Sequence, residues 1–167
     1  RGAKNTKVEI QYIRQGKTQN ATIILDDVEI KAVPFFSLLK DNTGYIVLTK
    51  FTEKASFETK AALLELKKQG ATKIILDLRG NPGGLLHEAV NICNLFVPKN
   101  ELIVTTKSKN PKHNLEYRTK NEPIDLEIPI AVIVDGKSAS ASEIVAGAIQ
   151  DLDRGVILGT RSFGKGL

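Results

Sequence analysis

Three serines at alternate positions, Ser138, Ser140 and Ser142, are the residues of this chain best placed to do chemistry. They lie between an apolar segment typical of a buried strand and a run with helical periodicity. The first N–H groups of a helix lack partners within the helix and attract negative charge, which is what the oxygen of an attacked carbonyl requires. A serine in this place could therefore be a nucleophile. The alternative is a helix cap, because Ser140 and Glu143 fit the S-x-x-E capping box.

Two glycine-rich segments are predicted to lie at the same edge of a sheet as the serines. The first is 80–84, of sequence GNPGG, which follows a predicted strand; the second is 159–166, which follows another. In open α/β sheets, functional groups gather at the carboxyl ends of the strands. Glycines let a backbone approach a ligand with its N–H groups exposed, although they equally suit an ordinary turn between strand and helix.

A nucleophilic serine needs a base that takes its proton. The chain has two histidines, His87 in a predicted helix and His113 in a polar loop. Neither lies where a Ser-His-Asp triad would be expected, although such a triad is defined by geometry and not by sequence position. A lysine can act as the base when burial favours its neutral amine. Lys165, next to Phe163 and flanked by glycines, has the tightest predicted setting of the lysines, and the residues therefore favour a Ser–Lys hydrolase.

A nucleotide-binding site is an alternative for the last segment. Gly159, Gly164 and Lys165 reproduce most of the G-x-x-x-x-G-K pattern of a phosphate-binding loop. Gly166, however, stands where the magnesium-binding Ser or Thr of that pattern belongs.

Composition narrows the class of protein. The chain has 167 residues, enough for one domain with an appendage. Its net charge of +5 comes from dispersed lysines among few aromatic residues, so we expect no nucleic acid partner.

The single cysteine, Cys93, cannot form an internal disulfide and lies on an apolar helical face. Because the chain has one cysteine and two separated histidines, we expect no metal and no cofactor. No targeting segment or membrane span is evident, and Arg1 is not an initiating Met, so we expect a piece excised from a longer protein.

The pattern along the chain predicts a hairpin followed by an α/β domain. A linker around residues 28–36 marks the boundary, which places residues 1–28 in the first part and 29–167 in the second. Alternating strands and helices predict a largely parallel sheet with flanking helices. Within the helix at 56–69, we expect Phe57, Ala61 and Leu64 to face the core. The predicted elements are a hairpin within 7–25, strands at 45–49, 73–78, 102–106, 130–134 and 156–158, helices at 56–69, 85–96 and after Ser140, and a polar, mobile loop at 107–127.

Three segments together resemble the tail-specific, or C-terminal processing, serine protease family. Residues 138–151, SASASEIVAGAIQD, followed by 161–166, RSFGKG, resemble its active-site region, and 76–84, LDLRGNPGG, is similar to its other signature. The resemblance extends from about Gly44 to Leu167. Asp135 is a departure, since the family usually has Asn there, and so is Lys137, where Gly is common.

The resemblance implies a site. The family uses a Ser–Lys dyad whose members are 25 residues apart, as Ser140 and Lys165 are. Ser138 and Ser142 are then a turn and a capping residue. The family's oxyanion hole is similar to one formed by the N–H of Ala141 and an N–H of the Gly-Gly pair.

Some site residues stay open at this point. Gly83 and Gly84 are both candidates for the second oxyanion donor. Asp151 and Glu143 match acidic positions that assist catalysis in some members of the family. They could equally be a charge at a helix end and a capping-box partner.

The resemblance also implies a fold and a biological setting. The fold is a crotonase- or Clp-protease-like core that is truncated at its C-terminal end, preceded by a hairpin left from a PDZ domain. Expected substrates are proteins with apolar C-terminal tails, and the expected location is extracytoplasmic, in the periplasm or cell envelope, with a parent protein that is exported or membrane-associated. We expect the isolated piece to be poorly active. A catalytically inactive, protease-like scaffold is the alternative.

Overall fold

The structure, a computed structural model, describes residues 2–27 and 30–165 and divides into two compact units. The units are Arg1–Ile30 and Lys31–Leu167, so the division falls two residues beyond the predicted boundary. Val28 and Glu29 of the predicted linker, and Gly166 of the last motif, lie outside the described residues.

The first unit is a β-hairpin of strands β1 (Lys7–Arg14) and β2 (Lys17–Ile24). Gln15 and Gly16 connect the strands with φ of 53° and 72°. Positive φ at both central residues gives the turn a twist that matches paired strands. The predicted hairpin is confirmed, although β2 begins earlier than its apolar residues indicated. Its derivation from a PDZ domain stays a prediction.

The second unit alternates strands and helices. Its elements are β3 (Phe35–Leu38), β4 (Thr43–Val47), α1 (Ala55–Lys68), β5 (Lys73–Asp77), α2 (Leu86–Cys93), β6 (Leu102–Thr106), β7 (Leu115–Arg118), β8 (Ile130–Val134), α3 (Ala141–Asp151) and β9 (Val156–Gly159). Five of the strands form a sheet in the order β3-β4-β5-β8-β9. In this sheet β4, β5, β8 and β9 are parallel, and β3 is antiparallel to β4. The expected largely parallel α/β architecture is therefore present as a mixed sheet.

Burial on both faces explains why the central strands are apolar. Leu76 of β5 and Val132 of β8 are buried in the middle of the sheet, where helices cover parallel strands. The helices contribute Leu66, Ile92 and Ile149 to the same core. Cys93 is also buried there, as predicted, and burial raises the pKa of its thiol to about 12. Within the described residues, no helix has the length and apolarity needed to cross a bilayer.

The predicted core face of α1 is wrong. Phe57 is 72% exposed, Leu64 is 46% exposed, and Ala61 is also on the exposed side. The helix instead buries Leu63 and Leu66 with smaller residues of the adjacent face. Because both faces carry apolar residues at helical spacing, periodicity alone could not choose between them.

Two short strands were not predicted. β3 lies in the expected linker, and β7 pairs with β6 inside the expected mobile loop. Each has four residues, and three of the four side chains of β7 are exposed. A segment of four residues carries little periodic signal before its partner strand is known.

Candidate active site

Two turns meet at the carboxyl edge of the sheet. The glycine turn, residues 79–84, follows β5, and the serine turn, residues 135–140, joins β8 to α3. Since β5 and β8 are parallel neighbours, their ends lie side by side. The expected meeting of these segments at one edge is thus observed.

The outer two serines hold the turns together. The Ser138 hydroxyl donates to the Leu78 carbonyl oxygen at 2.8 Å, and the Ser142 hydroxyl donates to the Asn81 carbonyl oxygen at 3.0 Å. Both serines are fully buried. A buried hydroxyl that is already hydrogen-bonded serves packing and not chemistry. Ser138 is thus a turn residue, as expected. The Ser142 hydroxyl connects the start of α3 to the glycine turn.

Ser140 differs from both of its serine neighbours. It is partly exposed, and it is the N-cap residue of α3 with φ of 56° and ψ of −113°. A non-glycine residue in this region is strained, and such residues cluster at functional sites. Ser140 thus lies with strained backbone between β8 and α3, where it borders a cleft.

Asn81 organises the glycine turn, a role that no pattern in the sequence indicated. It is fully buried; its amide donates to the Leu48 carbonyl oxygen at 2.8 Å, and its side-chain oxygen accepts the Gly83 N–H at 2.9 Å. Its carbonyl oxygen also accepts the Ala139 N–H at 3.1 Å. One residue thus fixes the glycine turn against both β4 and the serine turn.

Asp135 is a second connection between the turns. Its carboxylate accepts the N–H groups of Gly80 and Lys137, each at 2.9 Å, and that of Ser138 at 3.1 Å. The bond from Gly80 is the main reason that the pKa of Asp135 is lowered. From sequence, Asp135 was only a departure from the family pattern; here it shapes the serine turn.

The start of the glycine turn is anchored by an ion pair. The Arg79 guanidinium donates to the buried Asp77 carboxylate at 2.6 Å, and the Arg79 N–H donates to it at 2.9 Å. The Tyr45 hydroxyl donates to the same carboxylate. Burial opposes ionisation of Asp77, but the bonds from Arg79 and Tyr45 outweigh it and lower its pKa.

Gly83 lies directly against the serine turn. A Cβ there would be 2.6 Å from the Ala139 carbonyl oxygen, 2.9 Å from the Ser140 Cβ and 3.0 Å from the Ala141 nitrogen. Its φ of 97° also excludes most side chains. The glycine turn thus brings backbone groups next to the candidate nucleophile, as an oxyanion hole requires.

The two glycine N–H groups are not equivalent. The Gly83 N–H already donates to Asn81, whereas the Gly84 N–H has no hydrogen-bond partner within residues 2–27 and 30–165. The Ala141 N–H lies at the first position of α3, where helices leave such groups unpaired.

Glu143 connects Ser140 with the segment that carries Lys165. Its carboxylate accepts the Ser140 N–H at 2.8 Å, as part of the capping box that was predicted for these two residues and is present in the structure. It also accepts the Ser162 hydroxyl at 2.8 Å and the N–H groups of Gly164 at 2.6 Å and Lys165 at 2.8 Å. Burial disfavours the charged form of Glu143, but these bonds outweigh burial and lower its pKa.

Lys165 borders the same cleft as Ser140 but is exposed. The expectation of a tight, buried setting is therefore wrong, because Phe163 and Gly164 beside it are exposed as well. In the described part of the chain, no hydrogen bond joins the Ser140 and Lys165 side chains. The structure brings the two predicted residues to one cleft without forming a dyad.

The cleft has a volume of about 660 Å³ and mostly apolar walls. One wall is α3, through Ile144, Gly147 and Ala148, and the other is the consecutive segment 103–107 of β6 and its continuation. Asp151 borders the same cleft at the last residue of α3. Because α3 rises 1.5 Å per residue, Asp151 lies about 15 Å along the helix axis from Ala141, the first residue of α3.

The other chemical candidates lie outside this arrangement. The N–H groups of Gly164 and Lys165 already bind the Glu143 carboxylate, so they are not available to cradle a phosphate. His87 and His113 are exposed and do not border the cleft. Within the residues that the structure describes, no cluster of three or more His, Cys, Asp or Glu side chains could hold a metal.

Comparison with known proteins gives a consistent result. The profile of Peptidase family S41 matches residues 42–167. A probable CtpA-like serine protease of Staphylococcus saprophyticus is 35% identical over this whole chain, which covers 34% of that protein. A carboxyl-terminal-processing protease of Synechocystis sp. is 38% identical, again over the whole chain and 40% of the relative.

Solved structures show the same similarity. The photosystem II D1 C-terminal processing protease superposes with a TM-score of 0.70 at 30% identity, over 98% of this chain and 46% of the other. A putative S41 protease of Bacteroides fragilis shares the fold, with a TM-score of 0.71 at 19% identity, over 95% of this chain and 48% of the other. The chain thus spans less than half the length of these relatives.

Proposed function

The chain belongs to peptidase family S41, and from this we propose that it carries the catalytic centre of a serine endopeptidase of the C-terminal processing type. The observation that carries the proposal is the strained N-cap residue Ser140, which opens onto the cleft that Lys165 also borders. The Glu143 carboxylate binds the backbone N–H of both residues. The site needs no cofactor for the chemistry that follows.

The reaction is acyl transfer through a Ser–Lys dyad. The neutral amine of Lys165 takes the proton of the Ser140 hydroxyl as Oγ attacks the substrate carbonyl carbon. The carbonyl oxygen becomes an oxyanion held by backbone N–H groups. The lysine ammonium then gives its proton to the leaving amine as the peptide bond breaks. Water, deprotonated by the same lysine, hydrolyses the acyl-enzyme.

We assign the oxyanion hole to the N–H groups of Ala141 and Gly84. The Gly83 N–H is the weaker candidate, because it already donates to Asn81. Gly83 is instead the residue whose missing side chain lets the glycine turn approach Ser140.

The two acidic candidates have different roles in this proposal. Glu143 is a positioning residue, since it holds the backbone of both dyad members. Asp151 lies about 15 Å along α3 from the helix start, too far to reach Ser140 directly, and it borders the end of the cleft away from the nucleophile.

The proposed substrates are proteins with apolar C-terminal tails. The apolar walls of the cleft suit such a segment. Within the described residues, β6 pairs only with β7, so its other edge has no strand partner and could bind an extended peptide. The names of the relatives, among them carboxyl-terminal-processing proteases, support this class of substrate. An extracytoplasmic location of an exported or membrane-associated parent is part of the same proposal.

Replacing the nucleophile tests the proposal. In the complete protein, we expect Ser140→Ala to lower kcat for a peptide with an apolar C-terminal tail by at least about 10³-fold, as for other single losses from a catalytic serine site. Ser37→Ala, a change in the distant strand β3, is the matched control and should cleave normally. Cleavage by Ser140→Ala at the unaltered rate would refute the assignment.

An inactive, protease-like scaffold is the second candidate function. The exposure of Lys165, without a hydrogen bond to Ser140, favours it. The same feature leads us to expect poor activity from the isolated 167-residue chain, because a lysine base needs burial. Labelling of Ser140 in the complete protein by a serine-reactive fluorophosphonate would refute the scaffold, and rapid cleavage by the isolated chain would refute the second expectation.

A further inference from the structure

Packing among the residues that the structure describes does not require a glycine at position 147. Gly147 lies in the interior of α3, where glycine destabilises a helix relative to alanine. A glycine in a helix usually permits close packing, yet outside its own stretch of helix no described residue lies within 4 Å of the position that a Gly147 Cβ would take. Gly155 shows the contrast, because a Cβ there would be 2.4 Å from the Ile130 carbonyl oxygen.

The space next to Gly147 belongs to the cleft. Gly147 borders the cleft together with Ser140 and Ile144. Residues seven apart in a helix lie on the same face, about 10 Å along the axis at 1.5 Å per residue. Across from them, the β6 wall contributes Ile103 and Val104. An apolar recess therefore lies within reach of a substrate side chain bound near Ser140.

We propose that Gly147 is a specificity-determining residue. Its missing side chain leaves a recess in the α3 wall of the cleft that accepts one large apolar side chain of the substrate, of leucine or phenylalanine size, near the scissile bond. The inference rests on the proposed function and adds to it the residue that sets the size of the accepted side chain. An alanine at this position would stabilise the helix, and the presence of glycine in its place supports that role.

The test is a change of substrate preference. We would compare Gly147→Ala and Gly147→Leu in the complete protein, using peptides that differ only in one residue, alanine or leucine, at each of the three positions before the scissile bond. One methylene in an apolar pocket is worth roughly 10- to 200-fold in discrimination. At one position, the ratio of kcat/KM for the leucine peptide to that for the alanine peptide should fall at least about tenfold in Gly147→Leu, and less in Gly147→Ala.

A matched control separates this effect from a general one. Ala61→Leu makes a similar enlargement on the exposed side of α1, and it should leave the ratio unchanged. Gly147→Ala should also unfold at an equal or higher urea concentration than the unaltered protein, because alanine favours the helix.

The outcomes distinguish this inference from the proposed function. If cleavage depends on Ser140 but the leucine-to-alanine ratio of kcat/KM is the same in all Gly147 variants, the specificity role is wrong while the proposed peptidase activity is supported. If no cleavage depends on Ser140, the peptidase proposal fails. In that case, fluorescence anisotropy measures the binding of the same peptides to the Ser140→Ala protein and tests whether the recess accepts a large side chain. Weaker binding of the leucine peptide after Gly147→Leu supports it, and equal binding overturns it.

Discussion

At the scale of single residues, one carboxylate connects the two residues of the proposed dyad. Glu143 accepts hydrogen bonds from Ser140, Ser162, Gly164 and Lys165. These donors come from two segments about twenty residues apart in the chain. A neutral amide could not replace the carboxylate, since it would offer one oxygen and turn an N–H group towards the other donors.

Glu143→Gln should therefore destabilise the protein in a pH-dependent way. The folded-state pKa of Glu143 is lowered from an ordinary value of 4.5. The ionised carboxylate thus stabilises the fold fully above that value, and the stabilisation is lost as the pH falls through the folded pKa. At pH 7, we expect the free energy of unfolding to drop by about 1–3 kcal/mol in the variant, and the difference from the unaltered protein to shrink in more acid solution.

Urea unfolding between pH 3 and pH 7 measures this difference. Glu53→Gln changes an exposed glutamate and serves as the control. A gap between Glu143→Gln and the unaltered protein that stays constant over this range would show that the charge of Glu143 is not what holds the segment.

At the scale of elements, the site is a junction of two turns from neighbouring strands. Asp135, Ser138 and Ser142 each form a hydrogen bond from the serine turn or α3 to the segment around the glycine turn. The strain at Ser140 can persist because these bonds fix both sides of it. The geometry of the proposed nucleophile is thus a property of the pair of turns.

Gly83→Ala and Gly80→Ala should differ in their effect on this junction. Both glycines have positive φ, of 97° and 70°, which costs an alanine about 1–2 kcal/mol. At Gly83 the new Cβ would also collide with Ala139 and Ser140, which adds about 1–3 kcal/mol, whereas at Gly80 no described residue beyond its chain neighbours lies within 4 Å. We expect Gly83→Ala to be the more destabilised in urea unfolding and to lose labelling of Ser140. Equal effects of the two variants would contradict this account of the turn.

At the scale of the whole molecule, the hydrophobic core belongs to the second unit alone. The buried cluster begins at Ala32 and includes no residue of the hairpin. Apolar side chains of the hairpin, such as Ile13 and Ile24, are exposed. The stability of the second unit should consequently not depend on the hairpin.

Removing residues 1–30 tests this independence. We expect the remaining chain to unfold cooperatively in urea, with a free energy of unfolding within about 0.5 kcal/mol of the original, as for changes remote from a core. Circular dichroism provides the measurement. Leu66→Ala, which empties part of the core, is the contrasting variant and should cost about 2–5 kcal/mol. Loss of the cooperative transition on deletion would show that the hairpin is part of the folding unit.

Sequence alone determined the order of the main elements and the buried central strands. The apolar runs of β5 and β8 are long enough to be predicted as buried strands from sequence. The turn residues after them indicate the sheet edge at which functional groups are found in open α/β sheets. The choice of Ser140 and Lys165 came from the spacing in a family resemblance, and the family itself is now shown by residues 42–167. Their roles in catalysis stay a proposal.

Tertiary structure decided which faces and groups meet. Periodicity could not choose the buried face of α1, because both faces carry apolar residues and only the sheet beneath selects one. The bond of Asn81 to Leu48 and those of Glu143 to Gly164 and Lys165 likewise depend on segments that are distant in the chain. Local sequence specifies local conformation, whereas hydrogen bonds between segments exist only after packing has brought them together.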